Sequence, residues 1–304
     1  MSTLSLTLPD LSTEAWPPPP PGRLKLGSEA HKRVFCKTLL ETFDPYRPAI
    51  IDWPKLDPDA LKRLTSLPIW DIAVQTEGRA MRRVKAYADV TSDELLKKAV
   101  ELNAFEEGRH KLVLSNLVEA YGIELEPEPV YNHPKDPEWA FLVTGFSECI
   151  DSFFAFGLFE TAKRSGFFPP ELVDTFEPVI AEEGRHILFF VNWVAWHRRN
   201  MPWWRRPWFE LKVWAVWIFL ALERMSLAKD LEGGAAESQD NNFTVSGAEQ
   251  LGIDIDVAEL MDLCLAENDR RLGKYDRRLV RPNFVPRMVR LACRFMKKGK
   301  AAAA

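Results

Sequence analysis

The five residues Glu106-Glu107-Gly108-Arg109-His110 recur letter for letter as Glu182-Glu183-Gly184-Arg185-His186, 76 positions later in a chain of 304. In each copy the second glutamate and the histidine stand three residues apart, so a helix carries carboxylate and imidazole on one face. Two such faces brought together supply donors for two metal ions. A dinuclear site needs more negative charge than two carboxylates provide, so further acids are expected on the helices alongside.

The elements that must position these groups read as helices. No stretch alternates with period two, and the long periodic segments make this an all-α protein. Helix A is expected from about Ile69 to Ala88. Thr91-Ser92-Asp93-Glu94 has the form of a capping box opening helix B, which carries the first motif and runs to about Tyr121. Residues Glu124 to Pro137 contain four prolines and read as a crossover, followed by helix C from about Glu138 to Arg164. Helix D opens at Pro169-Pro170 and extends to about Arg199 with the second motif, and Pro178 inside it is expected to kink or unwind it.

Counting back from the turns finds the remaining acids. Residues level with Glu107 on helix A lie about 17 positions before the A–B turn, and the nearest inward acid is Glu77. The same count on helix C gives a level near Asp151, with Glu148 less than a turn away and about 60° round the helix. Glu148 is favoured for its longer reach; Asp151 is the alternative. Arg109 and Arg185 point away from the bridging glutamates and are expected to pair with acids on neighbouring helices. His197, on the face of His186 but about 16 Å along the axis, reads as a packed or surface residue.

With Glu77, Glu148 and the two Glu-x-x-His motifs in place, residues 67–200 resemble the ferritin-like di-iron carboxylate superfamily, in its oxidase or oxygenase branch. The resemblance implies a ferritin-like four-helix bundle with additional N- and C-terminal helices. It implies that Glu77 and Glu148 are terminal ligands, that Glu107 and Glu183 bridge two ions, and that His110 and His186 bind one each. It also implies that Glu106 and Glu182 hydrogen-bond the histidine of the opposite copy, with the motif glycines letting the helices approach. Oxygen and nitrogen donors suit iron or manganese, and iron is the family's usual metal, with manganese or a mixed pair left open. The implied activity is oxidation or hydroxylation of an organic substrate by O2, and a lipophilic substrate follows if the flanking segments meet a membrane. The alternatives are a ferroxidase or iron store without organic substrate, and a manganese catalase-like enzyme.

The flanks carry different signals. Residues 1–30, with the run Trp16 to Gly22, read as an extended or disordered proline-rich arm, and 31–66 as a short helix and a proline-punctuated connector. Residues 201–304 form a helical extension with segments near 207–229, 257–275 and 286–298 and a polar loop from Gly233 to Asn242. Seven tryptophans fall between Trp193 and Trp217, and residues 270–300 hold twelve Lys or Arg against Asp276 alone, although the whole chain has a net charge of −4. Within 201–223 the uninterrupted apolar run Val213 to Leu222 is too short to span a bilayer. Tryptophan beside arginine there, and the basic amphipathic pattern in 286–298, suit either the surface of a membrane or a protein partner such as a second copy. No aromatic platform or groove motif supports nucleic acid. The four cysteines form no CxxC pair and the first residues resemble no secretory signal, so the expected setting is cytoplasmic, peripheral on the inner membrane surface if the membrane reading holds.

Overall fold

The computed structural model describes the backbone of residues 7–233 and 257–303, and side chains within 7–225 and 257–294. The expected polar loop from Gly233 to Asn242 lies almost wholly outside the described residues, as do the side chains of Phe295, Lys297 and Lys298. Among the described residues every regular element is helical: α1 (Glu29–Glu41), α2 (Pro58–Thr65), α3 (Trp70–Val90), α4 (Glu94–Ala120), α5 (Pro137–Ser165), α6 (Pro170–Asp174), α7 (Glu177–Asn200), α8 (Arg206–Gly233), α9 (Val257–Gly273) and α10 (Phe284–Ala303). Two single 3-10 turns, Pro48–Ile50 and Trp203–Arg205, complete the set.

Four long helices form the centre, with α3 against α4 and α5, and α7 against α5 and α4. Contacts at the two ends define their directions. The end of α3, the start of α5 and the end of α7 meet where Tyr87 stacks on Phe141 at 4.5 Å and Trp193 donates to the Tyr87 hydroxyl at 3.1 Å. The start of α3, the end of α4 and α6 meet in a second cluster of Ile69, Trp70, Leu117, Val118 and Leu172. Helices α4 and α5 therefore run parallel, and residues 121–136 cross the length of the core to join them. Helix α5 alone among the described helices is long and apolar enough to span a bilayer. It lies instead in the middle of the fold, with Phe141, Phe146, Phe153 and Phe156 buried.

Local chemistry sets the ends of the helices. Asp93 caps α4 by accepting from the Leu96 N–H, and Asp136 caps α5 by accepting from Trp139. The capping box expected at Thr91 is thus shifted: Thr91 closes α3 instead, its hydroxyl donating to the Tyr87 carbonyl. Pro178 does not kink a continuous helix. The chain breaks after α6, and Pro178 falls in the first turn of α7, where its missing N–H costs nothing. The connector before α3 also contains a turn of helix the prolines had hidden, α2, capped by Asp57.

The outer elements cover the core. Helix α9 lies on α5 so closely that a Cβ on Gly157 would stand 2.3 Å from Cys264 Sγ, so only glycine fits there. The arm before α1 is extended, as its prolines require, and over residues 7–28 it is docked: Asp10 pairs with Lys98 at 2.5 Å and Trp16 packs against the main core. The glycine–proline stretch behind it is held by Arg278, which donates to the carbonyls of Pro20 and Gly22.

Candidate metal centre

The two pentapeptides come together at mid-height of α4 and in the second and third turns of α7. Their histidine rings stand 5.6 Å apart, centroid to centroid. Each histidine uses Nε2 to contact the first glutamate of the other copy, His110 to Glu182 at 2.9 Å and His186 to Glu106 at 2.8 Å. The exchange is reciprocal, as the resemblance implied. It turns both Nδ1 atoms inward to the carboxylates, where His110 Nδ1 lies 3.6 Å from Glu77 and 3.2 Å from Glu183, and His186 Nδ1 lies 2.9 Å from Glu107.

Both arginines of the motif serve those same first glutamates. Arg109 pairs with Glu182, and Arg185 with Glu106 at 2.6 Å. Each also ties the pair to the covering segment, Arg109 donating to the carbonyls of Asp44 and Tyr46, and Arg185 to that of Leu39. All four charged groups are buried. Ion pairs this deep are tolerable because every charge has an opposite and hydrogen-bonded partner.

The second glutamates have no such compensation. Glu77, Glu107, His110 and Glu183 present donor atoms within 4.8 Å of one another, and Glu107, Glu148 and His186 do the same beside them, sharing Glu107. Among the described residues no lysine or arginine pairs with these four carboxylates. His110 Nδ1, His186 Nδ1 and Glu148 Oε1 are buried with no hydrogen-bond partner. A buried acceptor costs free energy when left alone, and acceptors facing one another cost more. A cation resolves both problems, so the residues fit two metal ions in two overlapping donor sets.

The protonation behaviour follows from the same crowding. Burial pushes the Glu77 carboxyl up to about 8 against the pull of His110. Burial and the charges of Glu107 and Glu183 push Glu148 well above the usual carboxylate range. For both histidines burial works against the charged form, but their carboxylate neighbours outweigh it and raise them well above the ordinary imidazole value. The cluster by itself therefore holds protons where divalent ions would sit.

All six expected ligands, Glu77, Glu107, His110, Glu148, Glu183 and His186, are brought together. Asp151 is not: it is ion-paired to Arg224 at 2.8 Å and accepts from Ser147. The motif glycine also has a looser role than expected, since a Cβ on Gly184 would come no nearer than 3.8 Å to Phe156. His197 is half-buried, stacked on Trp193 and bonded to Glu138.

Three residues around the site escaped the sequence reading. Asn103 donates to Glu107 at 3.2 Å and Ser152 to Glu183 at 3.1 Å. Each is one helical turn from an expected ligand, Glu107 and Glu148 respectively, and that spacing is the signal that would have found them. Tyr46 donates its hydroxyl to Glu182 at 3.2 Å with its ring against Arg109, and burial raises the phenol. It reaches the site from the connector, 136 positions away, and no local pattern marks it.

Beside the carboxylates is a cavity of about 350 Å³. Glu77, Glu107, His110, Glu148 and Glu183 form part of its wall, and most of the rest is apolar, including Trp70, Leu117, Phe159 and Phe176. Arg79, Arg83, Asp151 and Glu223 supply charges elsewhere on the lining. Phe153 and Phe156, on the same helix as Glu148, belong to the packed interior and not to the cavity wall. In comparisons with protein-family models, with curated proteins and with solved structures, nothing matches this chain.

Proposed function

We propose that this chain is a di-iron oxidoreductase with a ferritin-like four-helix core that uses O2 to oxidise or hydroxylate an organic, lipophilic substrate. The observation that carries the reading is the cavity: an apolar chamber of about 350 Å³ that shares five carboxylate and imidazole side chains with the metal-binding cluster. A substrate lodged there touches the side chains that would hold the ions. That volume is in the range of small-molecule sites. An iron store has no need of it.

Carboxylate-rich nitrogen and oxygen donors suit iron or manganese. Bound iron would supply the electrons for O2 chemistry, and everything else is the work of the protein. Glu106 and Glu182 hold His110 and His186 with Nδ1 inward, Arg109 and Arg185 hold those glutamates, and Asn103 and Ser152 orient Glu107 and Glu183. The apolar lining keeps bulk water from the reacting position.

The test is metal analysis with turnover. The purified protein should hold close to two iron ions per chain, and the reduced protein should consume an apolar organic substrate only in air. Glu107→Ala or His186→Ala should abolish loading with helical content retained. Loading unchanged in both variants removes the ligand assignment; iron far beyond two ions per chain replaces the oxidase by a store; manganese with peroxide disproportionation replaces it by a catalase.

A further inference from the structure

Helix α8 and the 3-10 turn before it present to solvent a stripe that no element among the described residues covers. Trp204, Trp208, Leu211, Trp214, Ile218 and Leu222 follow one another at three- and four-residue spacing, each 58–73% exposed, while Phe209, Val213, Val216 and Leu220 on the opposite face are buried. Over residues 204–222 this makes an apolar ridge about 27 Å long. Ordinary monomers expose apolar side chains singly; a continuous ridge of this length marks an interaction surface.

Helix α10 extends it. Phe284, Met288 and Leu291 are exposed on one face, Val289 and Cys293 are buried on the other, and Phe284 meets Trp217 of α8 at 4.6 Å, which joins the two faces. Among the described residues, Arg205, Arg206, Arg287 and Arg294 flank this surface, exposed and in no ion pair, and all are cationic. The acids of α8 whose side chains are described are engaged elsewhere: Glu210 with Arg198, and Glu223 on the cavity wall.

We propose that the exposed faces of α8 and α10 dock on an anionic phospholipid bilayer, with the tryptophans at headgroup depth and the arginines against lipid phosphates. The composition matches what a bilayer surface asks of a helix lying in its plane: aromatic side chains with an apolar body and a polar N–H, aliphatic side chains between them, and basic residues at the border. A second copy fits less well. A twofold pairing sets the same patch against itself, so the unpaired arginines of one copy would face a surface that offers cations and no matching acids. A phosphate-bearing surface provides the missing charge.

Docking has a consequence for the cavity. Glu223, one residue beyond the stripe, lines it, so the chamber beside the carboxylates reaches the helix that rests on lipid. Membrane attachment itself stands apart from the metal chemistry and can be tested without it.

The test is flotation of the purified full-length protein with vesicles of phosphatidylcholine alone or phosphatidylcholine mixed with phosphatidylglycerol. The protein should float with the mixed vesicles, far less with phosphatidylcholine alone, and lose binding at high salt. The triple variant Arg205→Ser, Arg287→Ser, Arg294→Ser should bind the mixed vesicles about a hundredfold more weakly, each arginine near an anionic surface contributing roughly fivefold. The triple variant Trp204→Ser, Trp208→Ser, Trp214→Ser should abolish flotation while circular dichroism and metal content stay unchanged, and brominated lipid should quench the parent protein's fluorescence more than the variant's. Absence of flotation with both vesicle types overturns the proposal, as does flotation unchanged in both variants. Failure to float accompanied by a dimer that the tryptophan substitutions dissociate overturns it in favour of a second copy.

Discussion

On one side of the carboxylates, towards the α3–α4 turn, the central helices close on a solid aromatic plug: Phe141 stands 4.5 Å from Tyr87 and 4.7 Å from Trp193, with Phe190 against both Phe141 and Trp193. On the other side, towards Trp70, Leu117 and Phe176, the same four helices part to leave the cavity. One end is filled by packed rings, the other is hollow, and the charged cluster lies at the boundary. The plug fixes the spacing of the helices, so that six donor atoms on four elements meet. The hollow end is where structure has been given up, and a core yields packing only where something else is to occupy the space.

The largest effect expected from this contrast is on stability. Phe141→Ala should cost about 3–5 kcal/mol, because it opens a void in a tightly packed region. Leu114→Ala, at a cavity-lining and half-buried position, should cost only about 1–2 kcal/mol. Denaturant unfolding measures both, and equal costs would mean the hollow end is packed as firmly as the plug. Small-to-large changes sharpen the point. A Cβ on Gly145 would stand 2.2 Å from the Phe190 ring, so Gly145→Ala should cost about 1–3 kcal/mol. Ala73→Leu, directed at the cavity, should be within about 0.5 kcal/mol of neutral and should reduce uptake of an apolar fluorophore.

At the boundary the prediction concerns protons. With Glu77 raised to about 8 and Glu148 raised well above the usual carboxylate range by burial and its acidic neighbours, ions entering the cluster at neutral pH must displace protons. Metal affinity should therefore rise with pH, by about tenfold per unit for each proton released. Chelator competition between pH 6 and 9 measures it. A flat profile would mean that the carboxylates are already ionised and that the cluster is better solvated than its burial indicates.

How much of this was readable in the sequence differs by the range of the interaction. Periodicity and prolines placed α3, α4 and α5 to within a few residues, and the end of α7 though not its start, because helices are local objects. Counting along antiparallel partners then found Glu77 and Glu148, since rise per residue is fixed. Glu148 and Asp151 could not be separated that way, both being within a turn of the right level. Arg224 separates them, and its approach to Asp151 depends on how α8 returns over α5, a tertiary fact with no local mark. Tyr46 was hidden for the same reason. The plug and the cavity were equally illegible: Phe141 and Phe159 have the same residue type on the same helix, yet Phe141 is enclosed by Tyr87 of α3 and Phe190 and Trp193 of α7 while Phe159 lines a space, a difference set by tertiary packing.

A modest electrostatic effect belongs to the rim of the plug, where Glu138 at the start of α5 accepts from His197 at 2.9 Å and Lys212 at 2.8 Å. The His197 hydrogen bond, with Lys212 adding to it against the cost of burial, holds this carboxyl down to about 2. In the unfolded chain it returns to about 4.3. A depressed folded value means that ionised Glu138 stabilises the fold above the unfolded value, and that the contribution fades as pH falls towards 2. Solvent reaches all three side chains, so Glu138→Gln should cost only about 1 kcal/mol at pH 7. That difference should narrow steadily as denaturant unfolding is repeated from pH 5 down to pH 3. A gap that stays constant over the range would assign the cost to altered packing on Trp139 and Trp193 and would place the rim within the plug, leaving its charges without a part in holding that end closed.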